Sequence, residues 1–303
     1  MSPVLSKTVF LFLSACAWAG FFLVRFAERR LPRRILYLVL WPVASVWGLS
    51  QIHKSRSAAA SWRRLSAVEA APSPGRVWFW QALASHHARS VYLFPDRLPE
   101  KSWLRHCRLN GACDPFALRQ AGRRIVFASL HFGPFETLPY WLRAHGLPVT
   151  TLVGREAPRR ILKQRQYALS PPPDLPVVLP VTEKGGVRRA VDHLQDLLVM
   201  MDVNRGRQIE IPSDRLIFRL ARGVIRIAAM TGAELIPCLV TAEPGWQFTI
   251  HFGAPVPQRC LGSAPDLQEA VSHLLNEFLP VARQYPAQYG HRLLSCIRAA
   301  ENL

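Results

Sequence analysis

His131 and Glu136 are the residues of this chain whose types and spacing best suit acid–base chemistry. They sit in the run IVFASLHFGPFE, residues 125–136, where a short apolar segment delivers the histidine and Gly133-Pro134 forces a turn before the acid. A neutral imidazole can take a proton from a hydroxyl, and a carboxylate can fix its tautomer and stabilise the imidazolium that forms. Gly133 lets the backbone turn sharply or come close to a substrate. Glu136 falls in the first turn of an expected helix, where the helix dipole favours its anion. A second reading of the same residues is structural: a histidine that caps a strand end and bonds the acid. The sequence has no GxSxG elbow and no phosphate-binding P-loop. Direct base catalysis is therefore expected, without a covalent intermediate.

The elements that must position this pair alternate between strand and helix. Asp114-Pro115 reads as an N-cap followed by proline at the first helical position, with Gly122 as the stop. Strands are expected at 124–130, 149–153, 177–179, 198–202, 235–241 and 247–252. Helices are expected at 135–144, 158–167, 187–197, 223–231 and 266–284. Such alternation predicts an α/β fold with a mostly parallel sheet, mixed towards its end and flanked by helices. Ligands of open α/β sheets bind beyond the carboxyl ends of strands, which is where His131 falls.

Charge and hydropathy bound the setting. The 303 residues include 38 Lys+Arg against 20 Asp+Glu, a formal net charge of +18, and half the residues are hydrophobic. Such an excess, mostly arginine, draws the chain to an anionic partner. The slightly positive mean hydropathy of +0.08 favours a membrane surface over nucleic acid, for which the chain has only its charge and no helix-turn-helix or aromatic-basic pattern. The six cysteines form no CxxC pair. The His106-Cys107 and Cys113 cluster lacks the second pair of a structural zinc site, so free thiols in a reducing compartment are expected.

Residues 8–24 carry no charge, and Arg25, Arg29, Arg30, Arg33 and Arg34 follow at once. This pattern predicts a transmembrane helix within a membrane anchor at 1–30, with the C-terminal side in the cytoplasm. The Leu13–Cys16 and Ala15–Ala17 stretches resemble processing sites, but cleavage there would require export of the arginine cluster. Residues 31–75 form an expected interfacial helical segment. Within it, 35–49 reads equally well as a helix lying in the interface or as a core helix, kinked at Pro42. The α/β domain is expected from 76 to 303.

HFGPFE after an apolar strand resembles the H-x4-D/E motif of the lysophospholipid (glycerolipid-type) acyltransferase superfamily. The chain is most similar in pattern to the late acyltransferases of lipid A biosynthesis. The likeness includes LPRRILYLVLWP, Gly154-Arg155, MMDVNRG at 200–206, IAAMTGAELIPCLV at 227–240 and YPAQYGHR at 285–292. It departs at Pro134-Phe135, where those enzymes commonly read Asn-Trp. It departs again at residues 211–223, IPSDRLIFRLARG, and at Gly290-His291, where an aromatic is usual.

The resemblance implies a membrane-bound acyltransferase at the cytoplasmic face of a bacterial inner membrane. His131 would deprotonate an acceptor hydroxyl, which attacks the thioester of an acyl carrier protein or acyl-CoA, while Glu136 orients the imidazole. It implies substrate contacts from Gly133, Arg155, Asp202, Asn204 and Arg205, no metal, and no cofactor beyond the acyl thioester. Arg155 suits a phosphate of the acceptor, although a solvated charge at a strand end is its other reading. The acceptor class implied is a lipid A precursor or related anionic glycolipid, with a lysophospholipid or amino-lipid as the variant. A non-catalytic basic membrane protein that binds lipid or scaffolds a partner is the reading from a different class.

Overall fold

The computed structural model describes residues 107–153, 177–180, 186–192, 196–203, 206–243, 247–262 and 264–300. The expected anchor, the 31–75 segment, the 158–167 helix, Arg155, Asn204 and Arg205 lie outside them. Among the described residues no helix is long and apolar enough to cross a membrane.

The described residues form a seven-stranded sheet in the order β1-β9-β8-β2-β5-β3-β4. These strands are β1 (Cys107–Gly111), β2 (Ile125–Ser129), β3 (Val149–Val153), β4 (Val177–Pro180), β5 (Asp196–Met200), β8 (Glu234–Glu243) and β9 (Gln247–Phe252). The five strands from β8 to β4 are mutually parallel. β9 turns back antiparallel on β8, and β1 runs parallel to β9. This is the mostly parallel, late-mixed sheet expected from the alternation.

Burial on both faces explains the composition of the central strand. All five residues of β2 are buried. Val126 and Ala128 enter one core with α3 (Gly186–Asp192), α4 (Gly223–Thr231) and α5 (Ala264–Gln284). Ile125 and Phe127 enter the other, with Leu138, Trp141 and Leu142 of α2 (Leu138–Ala144) and the partly buried Phe116 and Leu118 of α1 (Pro115–Gln120). A strand covered on both sides reads as a continuous apolar run, as this one does. The α1 start is built as its sequence predicts: Asp114 Oδ1 accepts from Phe116 N at 2.9 Å and Ala117 N at 3.2 Å.

Three differences from the expected elements have physical causes. The helix expected over 187–197 ends at Asp192, because Asp196–Met200 is the strand lying between β2 and β3. Asp196 ties this strand in. Its Oδ1 accepts from Ile125 N at 3.0 Å, and its Oδ2 from Arg119 Nη1 at 2.5 Å. The helix expected over 135–144 opens as a 3-10 turn, Phe135–Thr137, before α2 begins at Leu138. Finally, residues 208–221 form an unexpected hairpin, β6 (Gln208–Ser213) and β7 (Leu216–Ala221). A third strand, β10 (Ile297–Ala299), pairs with β7. This small antiparallel sheet buries Ile211, Leu216, Phe218 and Leu220 in the core that also holds α4 and α5.

Candidate active site

The parallel register brings His131 to Asp202. Ser129, at the end of β2, pairs with Met200 at the end of β5, and Met201 N donates to Ser129 O at 2.8 Å. The two chains then continue side by side for two residues. Asp202 accepts the backbone N–H of His131 at 2.9 and 3.0 Å and lies 2.8 Å from His131 Nδ1. A carboxylate can only accept at this position, so Nδ1 carries the proton and the lone pair rests on Nε2. That tautomer is the one a general base requires. The Asp202 side chain is 0% exposed and that of His131 13%. Phe135 presents its ring to the imidazole at 4.4 Å in an edge geometry, which limits rotation of the ring.

A strap from the C-terminal segment holds this turn from behind. Phe132 bridges to Tyr289, and their rings meet edge-on at 5.4 Å. Gly133 N donates to Gln288 O at 2.8 Å, and Gly290 N donates to His131 O at 2.9 Å. Buried Gln288 then bonds the sheet itself: its Oε1 accepts from Ala242 N at 3.0 Å, and its Nε2 donates to Ala242 O at 2.6 Å. Two glycines make the close approach possible. Gly133 has φ +55°, and a Cβ there would sit 2.1 Å from Val240 O. A Cβ at Gly290 would sit 2.0 Å from His131 O. The departure at Gly290 from the usual aromatic thus has a steric reason in this chain.

Asp202 lies against the imidazole Nδ1 and is wholly buried. It occupies the Nδ1 position that an orienting acid needs, the task expected of Glu136. Glu136 is half-buried in the 3-10 turn one residue after Phe135. Gly133 donates its N–H to the strap. Gln288, which the sequence offers only within the stretch 285–292, and Gly290, which it offers only as a departure from the pattern, both gain a task in the structure. The signal available in sequence was a glutamine between two tyrosines in an otherwise apolar, proline-started turn.

Burial opposes ionisation of the described thiols. Burial pushes Cys107 up to about 12 and, as the largest cause, Cys113 and Cys296 up to about 11. The buried negative charge of Asp202 adds to the effect on Cys296. Cys238, wholly buried, is raised well above its ordinary value. A protonated thiol is a poor nucleophile towards a thioester. Among the described residues no three His, Cys, Asp or Glu side chains converge in the manner of a metal site.

No protein-family model and no curated protein matches the chain. Among solved structures, the chain is similar to the 1-acyl-sn-glycerophosphate (LPA) acyltransferase PlsC from Thermotoga maritima, at 12% sequence identity and a TM-score of 0.40, over 82% of this chain and 98% of that one.

Proposed function

We propose that the chain is a membrane-associated acyltransferase, moving a fatty acyl chain from an acyl thioester to a hydroxyl of a lipid acceptor. The observation that carries this reading is the 2.8 Å contact between His131 Nδ1 and buried Asp202 at the carboxyl end of the central parallel strand. His131 Nε2 takes the proton of the acceptor hydroxyl. The oxygen attacks the thioester carbonyl, the C–S bond breaks, and the leaving thiolate takes the proton back from the imidazolium. The products are an ester and a free thiol. Asp202 stabilises the imidazolium between these steps without itself being protonated. Glu136, the acid of the H-x4-E pattern, is assigned a supporting negative charge in this reading.

The thioester carrier in this reading is acyl carrier protein or coenzyme A, and the acceptor is a lipid A precursor or related anionic glycolipid at the cytoplasmic face of an inner membrane. The HFGPFE pattern and the basic, apolar-rich composition support these finer assignments. The test supplies membranes carrying the protein with a radiolabelled acyl thioester and a panel of acceptors: a lipid A precursor, a lysophospholipid and an amino-lipid. Transfer to one acceptor by wild type and a loss of ~10²–10⁴-fold in His131→Ala is expected. Equal transfer by both proteins overturns the base, and no transfer to any acceptor overturns the reaction.

A further inference from the structure

The small antiparallel sheet and the helix that follows it carry arginines with and without carboxylate partners. Arg219 and Arg298 both reach Glu210, and Arg283 of α5 pairs with Asp214 in the hairpin turn, where neighbouring Arg215 has no carboxylate partner among the described residues. At the end nearest the site, Arg207, Arg222 and Arg226 have no carboxylate partner among the described residues. Arg222 N donates to Arg207 O at 3.3 Å across the open end of the hairpin, and Arg226 lies one helical turn beyond Arg222 in α4. The first turn of α4 carries no acid. Desolvation, then the like charges of Arg226 and Arg207, hold Arg222 below the usual guanidinium range. Like charges at i,i+4 disfavour the fold that gathers them, so an anion between them relieves a cost already present.

Their place in the fold connects them to the chemistry. Ala221, the residue before Arg222, donates its N–H to Met201 O at 2.8 Å, and Met201 precedes Asp202. Arg222 therefore follows the residue bonded to the neighbour of Asp202, with Arg207 hydrogen-bonded to it through the backbone and Arg226 one helical turn on. Arg207 and Arg226 are exposed and Arg222 half-buried.

We propose that Arg207, Arg222 and Arg226 form a phosphate-binding lip beside the His131–Asp202 site, taking a phosphate monoester or diester carried by one of the two substrates. The proposal rests on the acyl-transfer reading for the identity of those substrates. Its phosphate chemistry has two sources, the head group of the acceptor lipid or the phosphates of the thioester carrier.

Phenylglyoxal footprinting of the full chain in detergent separates the sources, with Arg219 and Arg298 as carboxylate-paired references. The probes are coenzyme A, micelles doped with phosphatidic acid, and neutral micelles. Modification of Arg222 and Arg226 slowed about tenfold by coenzyme A assigns the lip to the donor, and the same slowing by phosphatidic acid assigns it to the lipid. A double variant, Arg222→Gln with Arg226→Gln, is expected to raise KM about tenfold for the phosphate-bearing substrate and leave kcat within about twofold. Equal modification with every probe overturns the lip while leaving acyl transfer by wild type standing. Protection only by an acidic carrier protein stripped of its phosphopantetheine also overturns it, in favour of protein docking. Failure of transfer by wild type overturns the reaction reading, and the footprint still reads phosphate binding.

Discussion

Two histidines of this molecule lie on the same sheet and differ in what holds them. His131 has a buried carboxylate 2.8 Å from Nδ1 and a backbone strap behind it. His251, on the antiparallel strand β9, has its Nε2 2.9 Å from the hydroxyl of Thr241. Burial lowers the pKa of His251, with the charge of Glu243 opposing, and Glu243 itself accepts a hydrogen bond from Tyr285 OH at 3.1 Å. His251 also lines an open cleft with Asn110, Leu239, Glu277 and Phe278. Burial resists protonation of His251, whereas His131, at the carboxyl ends of the parallel strands, has the carboxylate. A base must become a cation in the transition state, and only His131 has a bonded counter-charge for that moment.

The largest expected effect breaks the pair apart. His131→Ala lowers acyl transfer ~10²–10⁴-fold, while His251→Gln stays within about twofold of wild type. Initial rates on one acceptor, measured for both variants, check this. A large loss in His251→Gln with His131→Ala intact would reverse the assignment.

The strap gives the next largest effect, because His251 has nothing equivalent. Gln288→Ala leaves the buried N–H and C=O of Ala242 without their side-chain partner, at a cost of about 2–4 kcal/mol. Gly290→Ala pushes a methyl into His131 O, at about 1–3 kcal/mol. Urea denaturation should show both losses. Transfer should fall in each variant beyond what the unfolded fraction explains, since both bonds fix the turn that carries His131.

The smallest effect is a pH slope. His145 and His251 both titrate below the ordinary 6.5, in each case chiefly through burial. As pH falls below 6.5 the unfolded chain takes up these protons before the folded one does. Their contribution is therefore full above 6.5 and lost as pH drops through the lowered values. Stability measured from about pH 7.5 to 5.5 should decline on the acid side, by less than the ~1.4 kcal/mol per pH unit of a fully linked group. His251→Gln should flatten part of that decline.

Much of this fold is legible in the sequence where one local rule dominates. The strand Val149–Val153, the helix Gly223–Thr231 and the strand Gln247–Phe252 fall where periodicity and turn residues put them. The Asp114-Pro115 helix start follows from capping chemistry alone. The β6–β7 hairpin was hidden by Pro212 and by charged residues facing solvent. Pro212 is tolerated there because β6 is an edge strand, and the alternation of buried Leu216, Phe218 and Leu220 was the available signal. β1 is a strand with four exposed residues, so it lacks an apolar face that periodicity could detect.

The site divides in the same way. His131 announces itself by its position after an apolar strand. The carboxylate on its Nδ1 does not, because Asp202 is brought in from 71 residues away by parallel pairing of β2 with β5. Local spacing pointed to Glu136, and long-range register put Asp202 there. Gln288 depends on a contact of still longer range, so its place in YPAQYGHR carried no chemical meaning until the turn it straps was seen.

The most direct test of the central claim is the initial rate of acyl transfer by Asp202→Asn protein, with its fold checked by circular dichroism. The asparagine carbonyl can still accept the backbone N–H of His131, so the turn is kept while the carboxylate charge on Nδ1 is lost. The account predicts a fall of ~10²–10⁴-fold with native secondary structure retained. Transfer within about threefold of wild type would contradict it.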